Sequence, residues 1–163
     1  MAQSQDSQNR DILLLLQEGI HRLNQKEYEA AINFFNEALK LSPNNTIALI
    51  NRGIAEARLG QFRAAILSYT AALNIDSSEF RAYYNRGRAY MDIQDYARAL
   101  SDFSQAIRLD SGYANAYINR ANARMQLGDS TGAYQDYIQA AKLGSTKSRE
   151  FLKARGIDWE KAK

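Results

Sequence analysis

Glycine recurs at Gly19, Gly53 and Gly87, each 34 residues after the last, and Ala121 stands in the fourth place. Other columns keep the same interval. They are Tyr28, Phe62 and Tyr96; Ala31, Ala65, Ala99 and Ala133; Phe35, Tyr69, Phe103 and Tyr137; and Ala38, Ala72, Ala106 and Ala140. A period of this length means one supersecondary unit copied in tandem, each copy too small to bury its apolar face alone and stacked on the next.

The copy from Phe80 to Tyr113 shows what the unit is. Tyr83, Gly87 and Tyr90 fall at i, i+4 and i+7, one stripe of a helix, which predicts a helix over about 81–93. Gln94 and Asp95 interrupt it. Tyr96, Ala99, Leu100, Phe103, Ala106 and Ile107 then begin a second stripe, with Asp95 as its N-cap. Two antiparallel helices joined by a short turn follow, with Gly87, Ala99 and Ala106 small where the backbones approach and Tyr83, Tyr96 and Phe103 filling the space between. A single proline in 163 residues, with 45% hydrophobic and 24% charged residues, agrees with a globular all-helical chain.

The order of large residue, glycine, aromatic, alanine, aromatic, alanine and proline resembles the tetratricopeptide repeat (TPR) family from Ile12 to Lys147. The resemblance implies an all-α, right-handed α-solenoid of antiparallel helix pairs, with repeats at 12–45, 46–79, 80–113 and 114–147. Residues 1–11 are polar and read as a flexible N-terminal arm, and 148–163 as a C-terminal capping helix and tail. In that tail, Ser145 or Thr146 caps a helix over about 147–155 whose Phe151 and Leu152 cover the fourth repeat. The family proline is present only as Pro43, with Ser77, Ser111 and Ser145 in the other places, so the later turns are expected to be less rigid. The fourth copy departs furthest: Ala121 replaces glycine, Ser130 replaces the aromatic and is expected to act as N-cap, and Gly132 sits near a helix start.

Several function classes lack residues. There are no cysteines, which excludes disulfides, thiolate catalysis and cysteine zinc sites and fits a reducing compartment. His21 is the single histidine, read as a surface residue. Asp102, Asp110 and Asp136 read as outward carboxylates with no partner set, and no glycine-rich phosphate loop or nucleophile elbow is present. A non-enzyme without cofactor or metal is expected. The apolar run Ile12 to Leu16 is too short for a signal sequence or a membrane span, so a cytoplasmic location is expected. The net charge of +3 comes from scattered arginine, a thin basis for nucleic-acid binding, which stays as an alternative behind the protein-binding ones.

The resemblance also implies that the first helix of each pair lines a concave groove. Helical spacing then selects Arg81, Tyr84, Asn85, Arg88, Met91 and Asp92 in the third repeat. The same offsets give Leu13, Leu16, Gln17, Ile20, Leu23 and Asn24 in the first and Ile47, Ile50, Asn51, Ile54, Ala57 and Arg58 in the second. The fourth gives Asn115, Ile118, Asn119, Asn122, Met125 and Gln126. The expected function is a scaffold or adaptor that binds a partner's peptide or helix there, an assembly factor for a larger complex. Contacts are expected from Ile50, Asn51, Ile54, Arg81, Tyr84, Asn85, Arg88, Met91, Ile118, Asn119 and Asn122. Asn51, Asn85 and Asn119 would pair with peptide backbone, and Arg81 and Arg88 with a carboxylate. The bland alternative is that the apolar members pack on one another. Leu16 and Ile20, or Ile50 and Ile54, occupy the lysine and asparagine places of the family's chaperone clamp, which argues against the acidic tails of Hsp70 or Hsp90. Another alternative is self-association, as a homodimer, through Leu13, Leu14 and Leu16 on an uncapped N-terminal edge or through the apolar half of the groove. Arg52, Arg86 and Arg120 are expected to pack their stems between helices.

Overall fold

The computed structural model describes residues 2–161, and among them the chain forms helices and no strand. In order these are α1 (Ala2–Asn24), α2 (Tyr28–Leu41), α3 (Thr46–Arg58), α4 (Phe62–Ile75), α5 (Phe80–Asp92), α6 (Tyr96–Leu109), α7 (Ala114–Gln126), α8 (Ser130–Lys142) and α9 (Thr146–Lys153). The chain divides into two compact units between Asn85 and Arg86, inside α5. In the first, α1 packs on α2, α2 on α3 and α3 on α4, and α1 also touches α3. In the second, α6 packs on α7, α7 on α8 and α8 on α9. The architecture is an all-α solenoid of helix pairs.

The glycine column explains how the pairs close. A Cβ on Gly19 would come within 2.6 Å of the Phe35 ring, one on Gly53 within 2.7 Å of Tyr69, and one on Gly87 within 2.8 Å of Phe103. No real Cβ contact is that short, so the aromatic of the second helix lies directly on the backbone of the first. Phe35, Tyr69 and Phe103 are completely buried as a result. In the fourth repeat Ala121 supplies the Cβ. There the Tyr137 ring packs on Phe151 of α9, centroids 4.2 Å apart, and its hydroxyl donates to Asn122 Oδ1.

The turn inside each pair uses one backbone device. Lys26, Gly60, Gln94 and Gly128 stand 34 residues apart and all have positive φ, between 61° and 83°. This left-handed residue stops the first helix. Between repeats, side chains do what the missing prolines would do: Asp76 Oδ1 accepts from the Ser78 amide at 2.8 Å, and Asp110 Oδ1 from the Gly112 amide at 3.0 Å.

Two expectations need correction. Residues 2–11 belong to α1, which runs 23 residues. Once Ile12 to Leu23 is held by packing, extending the helix backwards costs no new nucleation, and Gln8 Nε2 anchors it by donating to the Leu41 carbonyl at 3.0 Å. The N-cap of α8 is Asp129, which accepts from the Gly132 amide at 2.9 Å, while Ser130 is already helical. A Cβ on Gly132 would meet the capping carboxylate, so a larger residue there would displace the cap. At the other end, Ser145 caps α9 and Leu152 is fully buried, with Phe151, Ile157 and Trp159 packed around the same cluster.

Candidate functional site

A row of half-buried arginines ties the first helix of a pair to its second. Arg120 Nε and Nη2 donate to the two carboxylate oxygens of Asp136, at 2.9 and 2.7 Å, and Nη1 reaches Ser104 Oγ at 3.3 Å. Arg124 adds a bond to the same carboxylate at 2.9 Å. Arg86 grips Asp102 with the same bidentate geometry, both bonds 2.8 Å. Asp102 and Asp136 are 5% and 3% exposed. They are therefore not outward carboxylates without partners but the buried anchors of the arginine column. Sequence reasoning placed the arginine stems and missed the heads. The signal was available: arginine and aspartate recur exactly sixteen residues apart in two repeats.

The second repeat makes the same joint with other residues. Arg52 Nε donates to Ser68 Oγ at 3.0 Å and Nη1 to Asn36 Oδ1 at 3.0 Å, and Ser68 Oγ donates in turn to Glu56 Oε2 at 2.7 Å. The carboxylate has moved from the second helix to the first. Burial pushes the Glu56 carboxyl above its ordinary range, against the lowering effects of the Ser68 bond and the Arg52 charge.

In the first unit, the first-helix stripe is apolar and partly open. Leu13, Ile20 and Ile47 are 55%, 37% and 53% exposed, while Ile50 and Ile54 are half-buried. Asn51 Nδ2 donates to the Ile47 carbonyl one turn back at 2.8 Å. Arg58 closes α3 and is exposed; Arg81 opens α5, is exposed, and lies over the Phe80 ring at 5.7 Å. Tyr84 and Asn85 are half-buried.

In the second unit the corresponding stripe is polar. Arg88 is exposed, Met91 and Ile118 are half-buried, and Asn119 Nδ2 donates to the Asn115 carbonyl at 3.0 Å, repeating the Asn51 arrangement. Asn122 differs from its expected role, because its amide oxygen is taken by the Tyr137 hydroxyl. Burial raises that phenol's pKa.

At the N-terminal edge, Leu13 and Leu14 are exposed but Leu16 is only 8% exposed and belongs to the core with Phe35, Ala48 and Ala55. Leu16 is thus removed from the expected self-association surface, because Phe35 of α2 and Ala48 and Ala55 of α3 pack over it. His21 is exposed where the later copies bury Ala55, Ala89 and Ala123. Arg22 donates to Glu18 at 2.7 Å and to Glu27 at 2.8 Å along this edge. Among the described residues no cluster of three metal-ligating side chains occurs, and no helix is long and apolar enough to cross a membrane.

Sequence profiles described as tetratricopeptide repeat match residues 12–45, 80–113 and 114–143, and one described as TPR repeat matches 55–94. No curated protein matches the chain. Among solved structures, it is similar to MamA from Desulfovibrio magneticus RS-1 at 24% identity and a TM-score of 0.75, over 79% of this chain and 73% of that one. The Arabidopsis OM64 TPR domain is 29% identical with a TM-score of 0.69, over 70% of this chain and 94% of the other. The second TPR of Spaghetti (RPAP3), bound to the HSP90 peptide SRMEEVD, is 35% identical with a TM-score of 0.59, over 60% of this chain and 91% of that one.

Proposed function

Because the chain belongs to the tetratricopeptide repeat family, we propose that it is a protein–protein interaction module whose first helices bind a peptide or helix of a partner protein, serving assembly of a larger complex. The observation that carries this reading is the open apolar stripe of the first unit. Leu13, Ile20 and Ile47 remain in water on consecutive first helices, although each could have been polar at no cost to the fold. An apolar surface of that kind marks an interaction site. Asn51 and Asn119, each with Nδ2 bonded to the carbonyl one turn back on its own helix, are the amides of the first-helix stripe that would meet a bound backbone. One neighbour, the RPAP3 domain, holds a peptide. In this chain Ile50 and Ile54 stand where the chaperone clamp would need cations and amides, so a different peptide chemistry is favoured.

Affinity capture from native lysate tests the reading. A partner recovered by the wild type and lost with Ile47→Asp plus Asn51→Ala supports it, and so does loss with Asn85→Ala plus Arg88→Ala. Equal recovery by wild type and both variants refutes it.

One observation favours a second reading, self-association through the N-terminal edge. Leu14 is 62% exposed in a column where Ala48, Ala82 and Ala116 are fully buried. Light scattering at high concentration decides: a dimer lost on Leu14→Lys supports it, and a strict monomer excludes it.

A further inference from the structure

Helix α1 carries an exposed stripe that is symmetric about one residue. Leu13 and Leu14 lie four and three positions before Gln17, and Ile20 and His21 lie three and four positions after it. All five are exposed, with Leu13, Leu14 and Ile20 at 55%, 62% and 37%. At the ordinary helical turn per residue the other four fall within about 60° of Gln17. Arg10 and Asn24, seven positions to either side, continue the same side, as does Asp6, and all three are exposed. The opposite side is spent on the core, where Ile12, Leu15, Leu16 and Leu23 pack with Phe35 of α2 and Ala48 and Ala55 of α3.

Such a pattern fits a second copy of itself. In two antiparallel helices related by a two-fold axis, residues equally far from the axis on either side come level with one another. With the axis at Gln17, Leu13 comes beside the partner's Ile20 and Leu14 beside the partner's His21, and each contact occurs twice. Charge agrees with that register. Arg10 meets the partner's Asn24, so no like charges face each other there, and Asp6 comes level with the partner's Lys26 in the turn after α1. Among the described residues neither Asp6 nor Lys26 makes an ion pair, and both are exposed, whereas Glu18 and Glu27 are held by Arg22. Of the other charges nearby, Asp11 lies about 120° round the helix from Gln17, and Glu29 belongs to the first turn of α2. A head-to-tail stack has no apolar surface to meet at the other end, because Leu152 of α9 is buried and Lys147, Arg149, Glu150 and Lys153 face water.

We propose that α1 pairs with α1 of a second copy, antiparallel about a two-fold axis at Gln17. The proposal rests on the self-association reading and adds its geometry. It assigns Leu13 and Ile20 to the second copy and leaves Ile47, Ile50 and Asn51 to a bound peptide. One helix pair buries less than the roughly 800 Å² per partner of a standard interface, so the dimer should form only at about micromolar concentration or above.

The chain has no cysteine, so single cysteines in the full chain report the register directly. Under mild oxidation Gln17→Cys should give a disulfide-linked dimer and Asn24→Cys alone should not, while Arg10→Cys and Asn24→Cys chains mixed together should link to each other. Sedimentation velocity should show the dimer lost on Leu13→Asp with Leu14→Asp. It should be weakened about fivefold by Asp6→Lys and restored when Asp6→Lys is combined with Lys26→Glu. All these positions are exposed, so far-UV circular dichroism should show unchanged helix content. Equal cross-linking of Gln17→Cys and Asn24→Cys, no cross-link through Gln17→Cys, or no rescue by the combined charge reversal each overturns the proposal. In those cases a dimer still sensitive to Leu14→Lys keeps the edge reading, whereas a strict monomer overturns both.

Discussion

The second and fourth repeats solve one packing problem with different residues. Each must hold an arginine of its first helix against the second helix. The fourth does so with a full ion pair, Arg120 on Asp136 with Arg124 alongside. The second uses a serine as the intermediary and keeps its carboxylate, Glu56, on the same helix as the arginine, with Arg52 Nε 3.5 Å from Glu56 Oε1. Geometry is shared and charge placement is not. A buried ion pair with two hydrogen bonds depends on both partners, whereas a neutral hydroxyl spreads the load.

That contrast breaks first if Asp136→Ala is mild. Removing it strips Arg120 of its carboxylate and leaves Arg124 only Asp129, 3.6 Å away, and a loss of about 3 kcal/mol is expected in urea denaturation. Ser68→Ala in the second repeat should cost only about 1 kcal/mol. Equal losses would show that the two joints are energetically the same.

The glycine column gives the next effect. Gly53→Ala drives a Cβ into the Tyr69 ring and is expected to lower stability by about 1–3 kcal/mol. Ala121→Gly in the fourth repeat, where the Tyr137 ring packs on Phe151, should cost about 1 kcal/mol through helix propensity alone. The difference between the two melts measures the close approach itself.

Helix capping separates the repeats by a smaller margin. Asp129→Ala should cost about 1 kcal/mol, because its carboxylate caps α8. Gln61→Ala should be near neutral, since that side chain makes no cap bond to α4.

The smallest expected change is the most diagnostic. Glu56 has a folded-state pKa raised by burial, so the folded state favours its proton. Its protonated form stabilises fully below the unfolded carboxylate pKa, and that contribution is lost as pH rises through the folded value. Glu56→Gln should therefore match the wild type at acidic pH and equal or exceed it at neutral pH. A variant clearly weaker at neutral pH would show that attraction to Arg52 outweighs desolvation.

Much of this was legible before any coordinates. The 34-residue columns gave the helix pairs to within a residue or two, since Asp95 does cap α6 and Gly87 does meet Phe103. Spacing selected a first-helix stripe, and two of its members turn out to be engaged by the fold. Leu16 turned inward because α3 lies over it, and Asn122 accepts from the Tyr137 hydroxyl of α8. The polar arm was misread because composition reports what a segment cannot bury, not whether a packed helix beside it will propagate.

The sequence by itself determined the repeat, the helix pairing and the side of each helix that faces the core, because those depend on period and residue size alone. Only the tertiary structure decided where charge is buried. Asp102 and Asp136 look solvated on their own helix, and become anchors only when an arginine sixteen residues earlier is folded back against them. The same holds for the first-unit stripe, whose leucines and isoleucines are alike in sequence. Packing buried Leu16 and left Leu13, Ile20 and Ile47 in water, and an apolar group can recruit a partner only where the fold has not already covered it.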